Sequence, residues 1–223
     1  MADAWLCDEC VVKLTIYRSI GCPWCHAVGD SGVTCVQCAS ERSYPDALSV
    51  AYDYGDEVVA HIVQDCKYRM YRGLGSVMGE RIAIECASLL EASVSEGVQP
   101  QVIPIPLHRD RERERGFNQT AVIAKTLARR CGWQYDGRAL FRQRATVAQA
   151  QLSREQRQEN MGADVFAIRP SVSLVGESVI LVDDVCTTGA TLAAAASVLR
   201  ATGAREVVAV AFARNAGFVV ETI

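Results

Sequence analysis

The sequence predicts an α/β fold built on a parallel sheet, fronted by a small cysteine-rich segment. Three observations carry this expectation. Residues 179–192 read VILVDDVCTTGATL: an apolar run, two acids, then a small hydroxyl-rich loop that enters an alanine-rich helix. Apolar runs recur at residues 101–105 (QVIPI) and 206–213 (EVVAVAFA). Runs that stay apolar without alternating suit strands buried on both faces, as in a parallel sheet. Three CxxC pairs, Cys7/Cys10, Cys22/Cys25 and Cys35/Cys38, fall within the first 38 residues.

A chain of 223 residues that is 50% hydrophobic has room for one α/β domain and a small appendage. The expected division is a cysteine-rich segment over residues 1–45 and the α/β domain over residues 46–223. A net charge of −3 gives no global basic footprint of a nucleic-acid binder. No apolar stretch is long enough to span a membrane, and the N-terminus lacks a signal-peptide pattern. The cytosol is the expected location, without membrane insertion. In a reducing compartment CxxC spacing points to metal before disulfide.

In chain order, the cysteine-rich segment comes first. A CxxC turn presents two thiolates to one metal, and two such turns complete a tetrahedral zinc site. Cys22/Cys25 and Cys35/Cys38 are separated by nine residues, the spacing of a zinc ribbon. Four thiolates leave no open position, so the zinc is expected to be structural. His26 is expected to be a solvated neighbour. Cys7/Cys10 remain open as a second pair of ligands.

Residues 47–54 (ALSVAYDY) form the first expected strand. A helix follows from Gly55-Asp56 to about Cys66, with Val58, Val59, Ile62 and Val63 inward. A second helix over residues 73–92 is assigned Val77, Ile82, Ile84, Leu89 and Leu90 as its buried face. The strand at residues 101–105 returns parallel through that helix. The run from His108 to Arg115 then interleaves five cationic side chains with three acids. Alone it is a solvated charged loop. Past the C-terminal end of a parallel strand, where open α/β sheets bind ligands, its arginines are candidates for phosphate. A helix from Gly116 to about Arg130 follows, with Ala121, Ile123, Ala124, Leu127 and Ala128 as its apolar stripe.

Residues 140–144 suggest a short strand or turn, and residues 166–169 a strand edge. Residues 146–160 are polar and rich in Gln and Arg. They are either a solvated loop and helix or a lid over the site, with Arg154 and Arg157 the side chains best able to reach a phosphate. At residues 179–192 the strand, loop and helix start aim backbone N–H groups and Thr hydroxyls at one spot, with the helix dipole behind them. Phosphate suits that spot, and adjacent carboxylates suit a vicinal diol; together they suggest a ribose phosphate. Cys186 is expected to be a small residue in a tight loop rather than a nucleophile.

The run of apolar residues, two acids and Thr-Thr-Gly-x-Thr resembles the signature of the type I phosphoribosyltransferases. KYR at 67–69, IPLHRDRERERGFNQ at 105–119, QAQLSREQRQEN at 149–160 and VDDVCTTGAT at 182–191 resemble, in this order, the ComF/GntX family. The resemblance implies a parallel-sheet type I phosphoribosyltransferase fold with a zinc ribbon, and a site for phosphoribosyl pyrophosphate (PRPP). Asp183 and Asp184 would hold the ribose hydroxyls. Thr187, Thr188, Gly189, Ala190 and Thr191 would hold the 5′-phosphate. Lys67, Arg69, Arg109 and Arg113 would neutralise the pyrophosphate, with Mg²⁺ bridging ligand oxygens.

Two functions follow from the resemblance. One is a phosphoribosyltransferase acting on a base or amine, most simply as a homodimer. The other is a non-catalytic protein that senses PRPP or a nucleotide and touches single-stranded DNA or the DNA-uptake machinery.

Overall fold

The structure is a computed structural model that describes residues 5–17, 22–25, 27, 29–30, 32–42, 44–95, 97–143 and 165–214. In chain order the strands are β1 (Ala47–Asp53), β2 (Gln101–Pro104), β3 (Gln134–Tyr135), β4 (Leu140–Arg142), β5 (Phe166–Ile168), β6 (Ser178–Cys186) and β7 (Glu206–Arg214). The helices are α1 (Asp8–Val12), α2 (Val36–Arg42), α3 (Glu57–Tyr68), α4 (Arg72–Ala92), α5 (Arg109–Arg115), α6 (Gln119–Cys131) and α7 (Ala190–Ala201). Five strands form one sheet in the order β1-β7-β6-β2-β3, with every neighbouring pair parallel. β4 and β5 form a separate antiparallel pair.

Strand periodicity builds the two layers. Successive side chains leave opposite faces of a strand. In β6, Ile180 and Val182 pack with buried residues of α3, α4 and α6. Val179 and Leu181 pack instead with α7, β4 and β5. β7 repeats the pattern, with Val208, Val210 and Phe212 on the first face and Val207, Ala209 and Ala211 on the second. Full burial of both sets explains why these runs carry no polar alternation.

Local chemistry sets the helix ends. Asp56 caps α3 by accepting from Val58 N and Val59 N at 2.8 and 3.2 Å. Asn118 caps α6 by accepting from Thr120 N, and Gly132 ends it in the left-handed conformation. The Arg-rich run is helix α5, not a loop. His108 caps it, Asp110 and Glu112 sit in its first turn, Arg113 and Arg115 in its last, and Gly116 stops it at φ 77°. The following helix consequently starts at Gln119 rather than Gly116.

The buried stripe of α4 is Leu74, Met78, Ile82, Cys86 and Leu90, a strict i+4 ladder. Ile84 and Leu89, expected inside, face solvent. Gly79 lets α6 come close: a Cβ there would lie 2.6 Å from the Ile123 carbonyl oxygen.

The chain folds α6 against one face and α7 against the other, while β3 and β7 lie on opposite sides of the β2/β6 pair. That is a topological switch point, and its C-terminal edge is where such sheets bind ligands. The N-terminal segment borders this edge. Ile16 bridges Tyr52 and Val33 bridges Ala47, both antiparallel to β1. Asp56 also accepts from Thr15 N and Oγ1 at 3.0 and 2.9 Å. Cys22, Cys38 and Tyr44 form a small core that touches Ala193 of α7.

Candidate functional site

The acids sit inside β6, not after it, because β6 keeps its register with β7 as far as Cys186 and Arg214. Adjacent positions on a strand face opposite ways, so Asp183 and Asp184 have different neighbours. Asp184 lies on the side of α3 and α6 and is 5% exposed. Lys67 Nζ is 3.0 Å from its Oδ2, and Gln119 Nε2 donates to the same oxygen at 2.7 Å. Arg115 Nη1 donates in turn to Gln119 Oε1. Burial pulls the Lys67 ammonium pKa down, but the Asp184 charge outweighs it and holds the pKa above its ordinary value.

Asp183 is half-buried on the other side, and its Oδ1 accepts from the Asp184 N–H at 2.8 Å. Burial and the Asp184 carboxylate push its pKa up to about 7, against the pull of Lys67 and Arg142. Arg142 reaches this side from β4. Its guanidinium stands 5.5 Å from the Phe166 ring centroid. Burial lowers its pKa, the Asp183 charge opposes the fall, and Arg111 of α5 adds to it.

The loop follows directly. Thr187 is exposed, Thr188 Oγ1 accepts from Ala190 N at 3.4 Å, and Gly189 caps α7 at φ 79°. Thr191 lies in the first turn of α7. Three turns of helix stand behind these groups, so the positive end of the dipole adds to the attraction for an anion. Burial pushes the Cys186 thiol up to about 12, so it stays protonated and is no nucleophile at neutral pH.

The other sequence-derived cations divide. Lys67 ends α3 inside the site. Arg69 follows it and pairs with Asp65 at 3.3 Å with its side chain mostly exposed. Met70 then takes φ 59°, a left-handed conformation that is costly for a side chain of this kind. Arg109 and Arg113 lie on the exposed α5, with Arg113 3.7 Å from Asp110. Arg154, Arg157 and residues 149–160 lie outside the described residues, as does His26. Sequence reasoning missed Gln119 and Arg142, and it placed Arg115 among candidate phosphate ligands rather than behind Gln119. Gln119 stood at the end of the quoted 105–119 motif without a role.

Further round the edge, Arg214 ends β7 and is 6% exposed. Its Nη1 has no hydrogen-bond partner among the described residues. Its guanidinium lies 5.9 Å from the Trp24 ring centroid.

The ligand atoms of Cys22, Cys25, Cys35 and Cys38 all lie within 4.8 Å of one another. Zinc with Zn–S bonds of about 2.3 Å sets its sulfurs roughly 3.8 Å apart, so this group fits a structural zinc ion. Burial would raise the Cys22 thiol, but N–H groups of Cys35, Cys25 and Trp24 bring it down to about 6, whereas burial and the neighbouring thiols push Cys38 up. Cys7 and Cys10 are not in this group. They lie beside each other, and Cys10 N–H donation lowers the Cys7 pKa.

The chain has relatives among known proteins. The phosphoribosyl transferase domain family matches residues 118–219. The DNA utilization protein YhgH of Shigella flexneri is 29% identical over 207 residues, covering 92% of this chain and 82% of its own. The competence protein ComFC of Bacillus subtilis is 28% identical over 207 residues, covering 88% and 78%. A hypoxanthine phosphoribosyltransferase structure from Staphylococcus aureus is 14% identical with a TM-score of 0.41, and this chain covers 64% of it. The fold is the parallel α/β fold of type I phosphoribosyltransferases. Over most of its length the chain is similar to these DNA utilization and competence proteins, with a phosphoribosyltransferase-type domain behind a four-cysteine knuckle.

Proposed function

We propose that the protein binds PRPP at the C-terminal edge of β6 and transfers its phosphoribosyl group to a base or amine. One observation carries the reading: two acids on opposite sides of the strand end lead directly into the Thr187–Thr191 loop at the start of α7. Asp183 and Asp184 accept from the ribose hydroxyls. Thr187, Thr188, Gly189, Ala190 and Thr191 take the 5′-phosphate. Lys67 and Arg142 supply positive charge within the site, and Arg69, Arg109 and Arg113 on its rim meet the pyrophosphate.

In the reaction, the acceptor nitrogen lone pair attacks C1′. The C1′–O bond to pyrophosphate breaks, pyrophosphate leaves with the electron pair, and the proton on the acceptor nitrogen is lost to solvent. The chain holds the ribose and phosphate so that these atoms are in line, which replaces any side-chain nucleophile. Mg²⁺, when bound, would add to the charge of Lys67 and Arg142 in neutralising the diphosphate. The zinc is structural. The CxxC pairs suit the reducing cytosol, and a homodimer is the assembly expected for this type of transferase. No helix among the described residues is long and apolar enough to cross a membrane.

Calorimetric titration of PRPP with Mg²⁺ tests the site. Asp183→Asn combined with Asp184→Asn is expected to abolish binding; unchanged affinity rules the assignment out.

A second reading, binding without catalysis, has its own support. Relatives carry the names DNA utilization protein and competence protein. A cleft of about 760 Å³ along α6 combines Arg72, Lys125 and Arg129 with Phe117, Trp133 and Tyr135. Cations for a backbone and rings for stacked bases are the components of a single-strand groove. Filter binding of a single-stranded oligonucleotide is expected to weaken in Lys125→Glu/Arg129→Glu and to fall steeply with salt. Equal binding by wild type and variant dismisses this groove.

A further inference from the structure

The cysteine knuckle and the phosphate loop are one packed unit. Trp24 is the third residue of the turn Cys22-Pro23-Trp24-Cys25, so thiolates on both sides fix its backbone once metal is bound. Its indole lies flat on the Tyr44 ring, with centroids 4.5 Å apart and planes 5° from parallel. Its Nε1 donates to Thr34 Oγ1 at 2.6 Å, and that hydroxyl donates to the Pro45 carbonyl. The rim of the six-membered ring presses on Gly189. A Cβ at Gly189 would lie 2.4 Å from Trp24 Cζ3 and 2.7 Å from Cε3.

The same helix is gripped again further along. Ala193 packs on the small core of Cys22, Cys38 and Tyr44. Arg200 Nη1 donates to the Tyr44 carbonyl at 2.7 Å, and its Nη2 to Asp46 Oδ1 at 2.6 Å. The knuckle and the chain just after it therefore touch α7 at its N-cap, its first turn and its last turn.

We infer that Trp24 is a positioning residue that couples the metal-loaded knuckle to the 5′-phosphate loop, so that metal occupancy sets the order of the Thr187–Thr191 backbone. Gly189 holds a left-handed conformation with no side chain of its own, and glycine loses more freedom on ordering than any other residue. The indole is the solid wall on one side of that residue. A segment this small has too little core to fold by itself, so metal binding is what holds the wall in place. Metal loss would leave the loop N–H groups unaligned and the anion site weakened, with no change to Asp183 or Asp184. The phosphate-site part of this inference rests on the PRPP reading; the coupling does not.

The test compares four metal-defined samples: wild type, wild type after chelation, Trp24→Ala and Trp24→Phe. Metal content is counted with a chromogenic chelator after thiol modification, and amide hydrogen exchange is followed at residues 187–191. Metal-loaded Trp24→Ala is expected to exchange roughly three- to tenfold faster there, in line with a lost ring contact. Residues 180–182 should keep the wild-type rate. Trp24→Phe should lie near wild type, and chelation should reproduce the alanine effect. Should Trp24→Ala fail to retain metal, metal-loaded Trp24→Leu takes its place. Wild-type exchange at 187–191 in the metal-loaded Ala or Leu variant overturns the coupling.

PRPP with Mg²⁺ is then titrated into each sample. Affinity about tenfold weaker in the variant with fast loop exchange extends the coupling to the ligand. Equal affinity overturns that extension. Failure of PRPP to bind wild type refutes the PRPP reading alone, because the exchange comparison uses no ligand.

Discussion

Replacing Lys67 by methionine keeps much of the side-chain length and removes the ammonium 3.0 Å from Asp184. The pair is well enclosed, with side chains 23% and 7% exposed. Removing one partner of a buried ion pair costs about 3–5 kcal/mol, chiefly because the remaining charge is stranded. Here Gln119 still donates to Asp184 Oδ2, so the lower end, about 3 kcal/mol, is expected. With a urea slope of about 2–3 kcal/mol/M, the midpoint should fall by at least about 1 M. Lys67→Met/Asp184→Asn should recover roughly half of that loss, since the stranded charge is gone. Urea unfolding followed by circular dichroism on the four members of the cycle gives the coupling. A single-variant loss below about 0.5 kcal/mol, or a double variant no better than Lys67→Met, refutes the argument that this pair is a buried, interdependent unit.

Three further outcomes follow from particular residues. Asp183 has its pKa raised to about 7, with burial as the main cause. Its stabilising contribution is therefore full below the unfolded pKa of about 3.9 and is lost as pH rises through about 7. Asp183→Asn should flatten the stability decline that wild type shows from pH 5 to 8, and identical profiles would contradict the assigned burial. Met70 at φ 59° stores backbone strain, so Met70→Gly should raise stability by about 0.5–1 kcal/mol; a loss would mean its side chain matters more than its conformation. Cys35→Ser removes one member of the sulfur group. It should bring bound zinc to background and lower the thermal midpoint, whereas full zinc retention would move the site elsewhere.

The sequence-readable parts of this protein are those in which one local pattern has a single structural outcome. Residues 179–182, apolar throughout, are compatible only with burial on both faces, and both faces are indeed covered. The Cys22/Cys25 and Cys35/Cys38 turns have a spacing that metal geometry constrains, and their sulfurs do converge. The stripe of α4 was harder to read because apolar residues occur on both sides of that helix. Long-range packing with α6, through Gly75 and Gly79, decided that Leu74 and Met78 are inside while Ile84 and Leu89 are not. The Arg-rich run looked like a loop because every residue is charged; caps and charge order within single turns made it a helix. In the site, Asp183, Asp184 and Lys67 were legible, but Gln119 and Arg142 reach it from separate elements and carry no local mark. Trp24 sat in plain view between two cysteines, and only tertiary contact revealed that it presses on Gly189.

Phosphoribosyl transfer is the activity proposed for this edge of the sheet. The most direct measurement is pyrophosphate release from PRPP and Mg²⁺ by the zinc-loaded protein, assayed against a panel of purine and pyrimidine bases and simple amines. The account predicts release that depends on one acceptor class and disappears in Asp183→Asn/Asp184→Asn. PRPP binding without release for any acceptor would contradict transfer and leave a binding protein that keeps the transferase fold.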